Sequence, residues 1–107
     1  MKERKAGSII NMSSFAEKRG GVIFGGPHYS AAKTGLISLS KAIAREFAPF
    51  NIRSNSICPG FINTYITRVK MTEKMTQTNF SGIPINRFAQ PEEIAGCCLF
   101  LASDLSS

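Results

Sequence analysis

The chain has 107 residues, 43% of them hydrophobic and 19% charged, a composition that fits one globular domain at most and names no function. Its net charge of +6 is scattered over Lys2, Arg4 and Lys5, over Lys41 and Arg45, and over Arg68, Lys70 and Lys74, without interleaved aromatic residues, so it reads as solvated faces and not as a nucleic-acid interface. No apolar run approaches the ~20 residues of a membrane span, the N-terminus carries no secretory pattern, and Cys58, Cys97 and Cys98 have neither metal-ligand nor redox spacing, so the default expectation is a cytoplasmic chain with three buried, unreactive thiols.

Met1–Lys5 reads as the charged end of a helix that leads into a strand. Gly7 to Met12 is a short apolar run around Asn11, bounded by Gly and Ser-Ser, which suits a strand buried on both faces. Ser13 and Ser14 mark its carboxyl end, the side on which doubly wound α/β sheets bind ligands, although two serines can equally well just begin a loop. Residues 15–27 hold Gly20, Gly21, Gly25 and Gly26 around Val22-Ile23-Phe24, a loop with a hydrophobic tip. The Gly-x-Gly-x-x-Gly order of a phosphate-binding turn is absent from it.

From His28 to Phe47 the apolar residues Ala32, Leu36, Leu39, Ile43 and Phe47 recur at helical steps and predict a helix packed along that stripe, ended near Ala48 by Pro49. Tyr29 and Lys33 lie one turn apart at its start. That spacing stacks a phenol and an ammonium on one face, close enough for the cation to favour the phenolate of a group that otherwise ionises at about 10. Ser30, Ala31, Ala32 and Gly35 keep the surrounding backbone small enough for a flat ligand to approach. Taken alone, the pair is also what a surface tyrosine and lysine at helical spacing look like. His28, beside the tyrosine, is expected to face solvent or substrate.

Ile52 to Cys58 is predicted as the next strand, closed by Pro59-Gly60 and completing a strand-helix-strand crossover. Ser54 and Ser56 weaken its burial pattern. Thr64 to about Thr78 is polar, with Tyr65, Ile66, Val69, Met71 and Met75 at helical spacing, and predicts one or two short helices that either cover a substrate or simply pack. Pro91-Glu92-Glu93 opens a last helix with Ile94, Cys97, Cys98 and Leu101 on its inner stripe.

Four of these segments, in order and in register, resemble the short-chain dehydrogenase/reductase family: Ser8-Ile-Ile-Asn-Met-Ser-Ser14, Tyr29-Ser-Ala-Ala-Lys33, Pro59-Gly60-Phe-Ile-Asn-Thr64 and Arg87-Phe-Ala-Gln-Pro-Glu-Glu-Ile-Ala95. The resemblance covers essentially the whole chain. It departs at Glu17, where relatives often carry a glycine, and in a slightly long spacing from serine to tyrosine. It implies that residues 1–107 are the C-terminal part of a single Rossmann-like, doubly wound α/β domain, lacking the N-terminal half with its glycine-rich cofactor loop and the final strand.

The implied activity is hydride transfer between NAD or NADP and a small-molecule alcohol or ketone, with no nucleic-acid or membrane partner. By the same resemblance, Ser14 would hydrogen-bond the substrate oxygen and Tyr29 would exchange its proton. Lys33 would assist the tyrosine and hold the nicotinamide ribose. The backbone around Pro59, Gly60 and Ile62 would meet the nicotinamide amide, and Thr64 the amide or the pyrophosphate. Relatives commonly associate through the tyrosine-bearing helix, which implies a homo-oligomer, dimer or tetramer. The competing expectation is a non-catalytic piece that acts at most in binding or oligomerisation.

Overall fold

The computed structural model describes residues 1–15 and 25–107; most of the loop with the hydrophobic tip lies outside the described residues. Strands β1 (Gly7–Met12) and β2 (Ile52–Ile57) pair in parallel, from Gly7 opposite Ile52 to Met12 opposite Ile57. A tight hairpin cannot join parallel strands. The connection is the 22-residue helix α1 (Gly26–Phe47), which has Pro27 in its first turn, where the missing N–H goes unmissed. A short 3-10 turn, Ala48–Phe50, and Asn51 at φ 51° lead from it into β2.

Alternation along the strands puts Gly7, Ile9 and Asn11 beside Ile52, Ser54 and Ser56 on one face, and Ser8, Ile10 and Met12 beside Arg53, Asn55 and Ile57 on the other. Helix α1 lies on the first face, where the Asn11 amide donates to Ser40 Oγ at 2.7 Å. The last long helix, Pro91–Ala102, lies on the second: Ser8 Oγ and Arg53 Nη1 each donate to the Leu101 carbonyl at 2.8 Å, and Arg53 Nη2 donates to Ser103 O at 3.0 Å. A guanidinium is at home on carbonyls that a helix end leaves unpaired. Helices on both faces of a parallel sheet make this a partial doubly wound α/β fold, as the sequence predicts.

Between β2 and that last helix come α2 (Tyr65–Lys70) and α3 (Glu73–Ser81), the two short helices expected after Thr64, which run three residues past Thr78. The last helix is therefore α4. A feature the sequence does not announce is a single parallel bridge between Ile62 and Ala89, in which Asn63 N–H donates to Ala89 O at 2.8 Å and Ala89 N–H to Phe61 O at 3.1 Å. The rings of Phe61 and Phe88 stack beside it with centroids 5.3 Å apart.

Four expectations need correction. Residues 2–5 form a turn and not a helix end, with Lys5 N–H bonded to Lys2 O and Lys5 at φ 48°; the Lys2 ammonium sits over the rings of Phe47 and Phe50, 4.8 and 5.0 Å from their centroids, which ties the segment to the end of α1. The packed stripe of α1 holds the predicted Leu36, Ile43 and Phe47, all half-buried, but Ala32 is exposed and Leu39 is 49% exposed, with a shift of one residue to Ser40 at the latter. Its cause is Asn11: a polar side chain on the sheet face calls for a polar partner, and Ser40, 3% exposed, takes the place where hydrophobicity alone puts Leu39.

Cys58 and Cys97 are exposed and Cys98 half-buried, not buried as predicted. Cys58 follows the last residue of β2, which ends at Ile57 and so falls one residue short of the predicted strand. Cys97 lies about 100° around α4 from Cys98 and misses the inner stripe of Ile94, Cys98 and Leu101. The hydroxyls of Ser54 and Ser56 are buried without a hydrogen-bond partner, so β2 is weaker than an apolar strand, in line with its sequence.

Candidate active site

Everything near the expected site is built on the carboxyl end of β1. Ser13 is 3% exposed; its N–H donates to Ile57 O at 2.8 Å and its Oγ donates to Lys33 O at 2.6 Å. The Lys33 ammonium returns to the same strand end and donates to Met12 O at 2.7 Å. Lysine 33 is thus held at its backbone and at its tip by two consecutive residues. Ser14, half-buried, follows directly, and Phe15 N–H closes the strand ends by donating to Pro59 O at 2.9 Å.

One turn before Lys33, the Tyr29 ring lies with its centroid 5.8 Å from the Lys33 Nζ. The helix spacing therefore puts the ammonium over the tyrosine ring, beside the strand end that carries Ser13 and Ser14. Gly25, at φ 92°, backs the ring: a Cβ there would overlap Tyr29, so only glycine fits. Sequence reasoning left both Gly25 and Ser13 without a role; the signal for Gly25 was its place just before Pro27 at a helix start. His28 is exposed, as expected.

The Pro59–Thr64 run leaves β2 and passes the same edge. A Cβ on Gly60 would meet nothing within 4 Å, so the backbone there is open to a flat ligand. Ile62 is fixed by its bridge to Ala89. Thr64 caps α2: its Oγ1 accepts from Thr67 N–H at 3.5 Å, and its own N–H donates to Thr67 Oγ1 at 2.8 Å. A cleft of about 400 Å³ opens beside it, lined by Asn63, Thr67, Arg68, Met71 and Phe88 among others.

The Arg87–Ala95 segment braces this run. Arg87 binds both Glu93 oxygens, at 2.7 and 2.8 Å, while Gln90 N–H donates to Glu93 Oε2 at 2.7 Å and so caps α4. The Arg87 hydrogen bonds, with that of the Gln90 N–H, hold the Glu93 carboxyl down at about 2, and the same pairing raises Arg87. Ala89, the partner of Ile62, lies between the two paired residues. Among the described residues no cluster of His, Cys, Asp or Glu could hold a metal ion, and no helix is long and apolar enough to cross a membrane.

A family model described as enoyl-(acyl carrier protein) reductase matches residues 1–107. The chain is 50% identical, over its whole length, to an uncharacterised short-chain type dehydrogenase/reductase of Sinorhizobium fredii. It belongs to the short-chain dehydrogenase/reductase family. The match spans 42% of that relative.

Among solved structures of the family, the 3-oxoacyl-(acyl-carrier protein) reductase of Brucella melitensis superimposes with a TM-score of 0.92 at 34% identity, over 99% of this chain and 39% of the reductase. An NAD(P)-dependent gluconate 5-dehydrogenase candidate from Beutenbergia cavernae, crystallised with bound NADP, superimposes at 0.86 and 28% identity, over 97% of this chain and 41% of that one. The chain therefore spans about two-fifths of the length of its dehydrogenase/reductase relatives.

Proposed function

We propose that residues 1–107 form the nicotinamide end of the active site in the C-terminal part of a single Rossmann-like domain, and that the enzyme of which they are part is an NAD(P)-dependent oxidoreductase acting on a carbonyl or alcohol. The observation that carries this reading is the two-point hold on Lys33, which keeps its ammonium at the Met12 carbonyl and 5.8 Å from the Tyr29 ring centroid, beside Ser14. The residues present suit such a cofactor. Lys33 spends one N–H on Met12 O and keeps two for a ribose diol, and the open backbone at Gly60, with Pro59, Ile62 and Thr64, suits a carboxamide.

A bound nicotinamide supplies or takes up the hydride. Ser14 donates a hydrogen bond to the substrate oxygen, on which negative charge builds during reduction. Tyr29 delivers its phenolic proton to that oxygen in reduction and takes it back in oxidation, with Lys33 stabilising the phenolate. The name of the Brucella relative favours a 3-oxoacyl thioester as the carbonyl substrate, with NAD or NADP as cofactor, and the family model's name shares with it the acyl thioester but not the reacting group. A homo-oligomer in the cytoplasm fits the same reading.

Tyr29→Phe tests it, because phenylalanine keeps the ring and removes only the exchangeable proton. The full-length enzyme assayed with NADPH and acetoacetyl-CoA should lose turnover while cofactor titration stays near wild type; most of the rate retained would sink the acid-base role.

For the 107 residues on their own a second reading applies, that of a non-catalytic binding or oligomerisation piece. It is favoured by the exposure of Leu99, Phe100 and Leu105, at 72, 50 and 81%, beside a sheet of two strands.

A further inference from the structure

Ser13 is the most buried side chain at the site, and its hydroxyl is already committed: Oγ donates to the Lys33 carbonyl at 2.6 Å, and the residue is 3% exposed. It is therefore poorly placed to touch a substrate. What it does touch is informative. Lys33 lies inside α1, where the helix ladder takes one lone pair of each carbonyl, so the bond from Ser13 is an extra one on the second lone pair. No capping need explains it, since the carbonyl has a helical partner without it.

Its geometrical effect is to lock the turn of α1 that carries Tyr29 and Lys33 against the end of β1, in height and in rotation. Ser13 is itself fixed, because its N–H is bonded to Ile57 O at 2.8 Å. One residue back, Met12 O receives the Lys33 ammonium at 2.7 Å. A long, flexible side chain pinned at its root and at its tip by two adjacent residues of one strand has few conformations left. Release of the root lets the helix turn slide, and the ammonium then loses either Met12 O or its place beside the Tyr29 ring.

We propose that Ser13 is a positioning residue, which sets the Lys33 ammonium for work on the cofactor ribose and the tyrosine by clamping the Lys33 backbone to the end of β1. The inference rests on the Ser14–Tyr29–Lys33 reading above.

The experiment compares Ser13→Ala, Ser13→Thr and Tyr29→Phe in the full-length enzyme, with NADPH and acetoacetyl-CoA as probes. Ser13→Ala should lower kcat roughly tenfold, in keeping with the cost of a sub-ångström misplacement, and weaken NADPH binding severalfold, while KM for acetoacetyl-CoA stays within about twofold. Ser13→Thr restores the hydroxyl and should recover most of both losses. A merely structural serine would instead lower the melting temperature and leave kcat per folded molecule and NADPH affinity at wild type; that result, or a loss that threonine leaves unrepaired, overturns the proposal. If the alanine variant does not fold, Ser13→Cys, of similar size and with a weak donor, carries the comparison and should fall between alanine and wild type; wild-type kcat and NADPH affinity in it would overturn the clamp. Tyr29→Phe separates the two levels: an inactive Phe variant beside a normal Ser13→Ala rejects the clamp alone, whereas an active Phe variant rejects the underlying reading.

Discussion

The Asn11 amide donates to Ser40 Oγ at 2.7 Å across the sheet–helix interface, and Ser40 Oγ donates onward to Asn55 O at 3.2 Å, so one hydroxyl joins β1, α1 and β2. Ser40 is 3% exposed, and its removal takes from the half-buried Asn11 amide its partner across the interface. Ser40→Ala should therefore destabilise the folded protein by about 1 kcal/mol, the net worth of a typical hydrogen bond. Urea unfolding of the two proteins measures it, and a change under a few tenths of a kcal/mol would mean that Asn11 finds another partner. Activity at low temperature should stay near wild type, because Ser40 lies about two turns of α1 from Lys33.

That same pair marks the limit of what the sequence discloses. Periodicity located β1, α1, β2 and α4, since each buries one face or one stripe and the pattern of apolar residues records it. It misplaced the middle of the α1 stripe, because Leu39 outscores Ser40 on hydrophobicity while the polar Asn11 opposite selects the serine. The resemblance named Tyr29 and Lys33, and helical spacing explains why they meet. Neither source could disclose the bond from Ser13 to Lys33 O or the bridge from Ile62 to Ala89, because each joins residues at least 20 apart through a backbone carbonyl, and a carbonyl has no letter in a sequence.

Ser14→Ala should cost more activity than Ser13→Ala. In the proposed reaction Ser14 meets the substrate oxygen directly, and loss of such a donor typically costs about 100-fold or more in kcat. Ser13 acts only through Lys33, and its substitution leaves the ammonium free to return to Met12 O part of the time. Steady-state rates of both variants on one substrate decide the matter. Equal or reversed losses would show that the serine register is off by one residue.

The Arg87–Glu93 pair should make part of the stability acid-sensitive in a defined direction. Glu93 is held at about 2, below the usual carboxylate range, so the pairing stabilises the fold fully above that range and is lost as the pH falls through it toward 2. Both side chains are nearly half exposed, so solvent and salt screen the effect. Glu93→Gln keeps an acceptor for the Gln90 N–H and removes only the charge. Its melting temperature should lie below wild type by a small, constant margin near neutrality, a margin that narrows toward pH 2 and in high salt. No margin at any pH or salt would assign the role of Glu93 to its cap on α4, which glutamine keeps, and not to the ion pair.

Residues 1–107 by themselves should bind nicotinamide cofactor far more weakly than a full-length relative and should show no measurable dehydrogenase activity. A dinucleotide is gripped chiefly through its pyrophosphate, at a glycine-rich turn that opens a helix. No Gly-x-Gly-x-x-Gly run occurs in the sequence, and the site residues brought together here address the nicotinamide end alone. The scaffold under them is thin: a two-stranded sheet, with Ile52 and Met71 the buried hydrophobic residues among those described. Two strands hold a sheet poorly, and exposed Leu99, Phe100 and Leu105 on and beside α4 favour self-association over a clean monomer. Sedimentation should accordingly find species larger than 11.6 kDa. Calorimetric titration of the same material with NAD and NADP is the direct measurement. Tight, saturable binding would place the main cofactor grip within these residues and contradict the division of labour argued above.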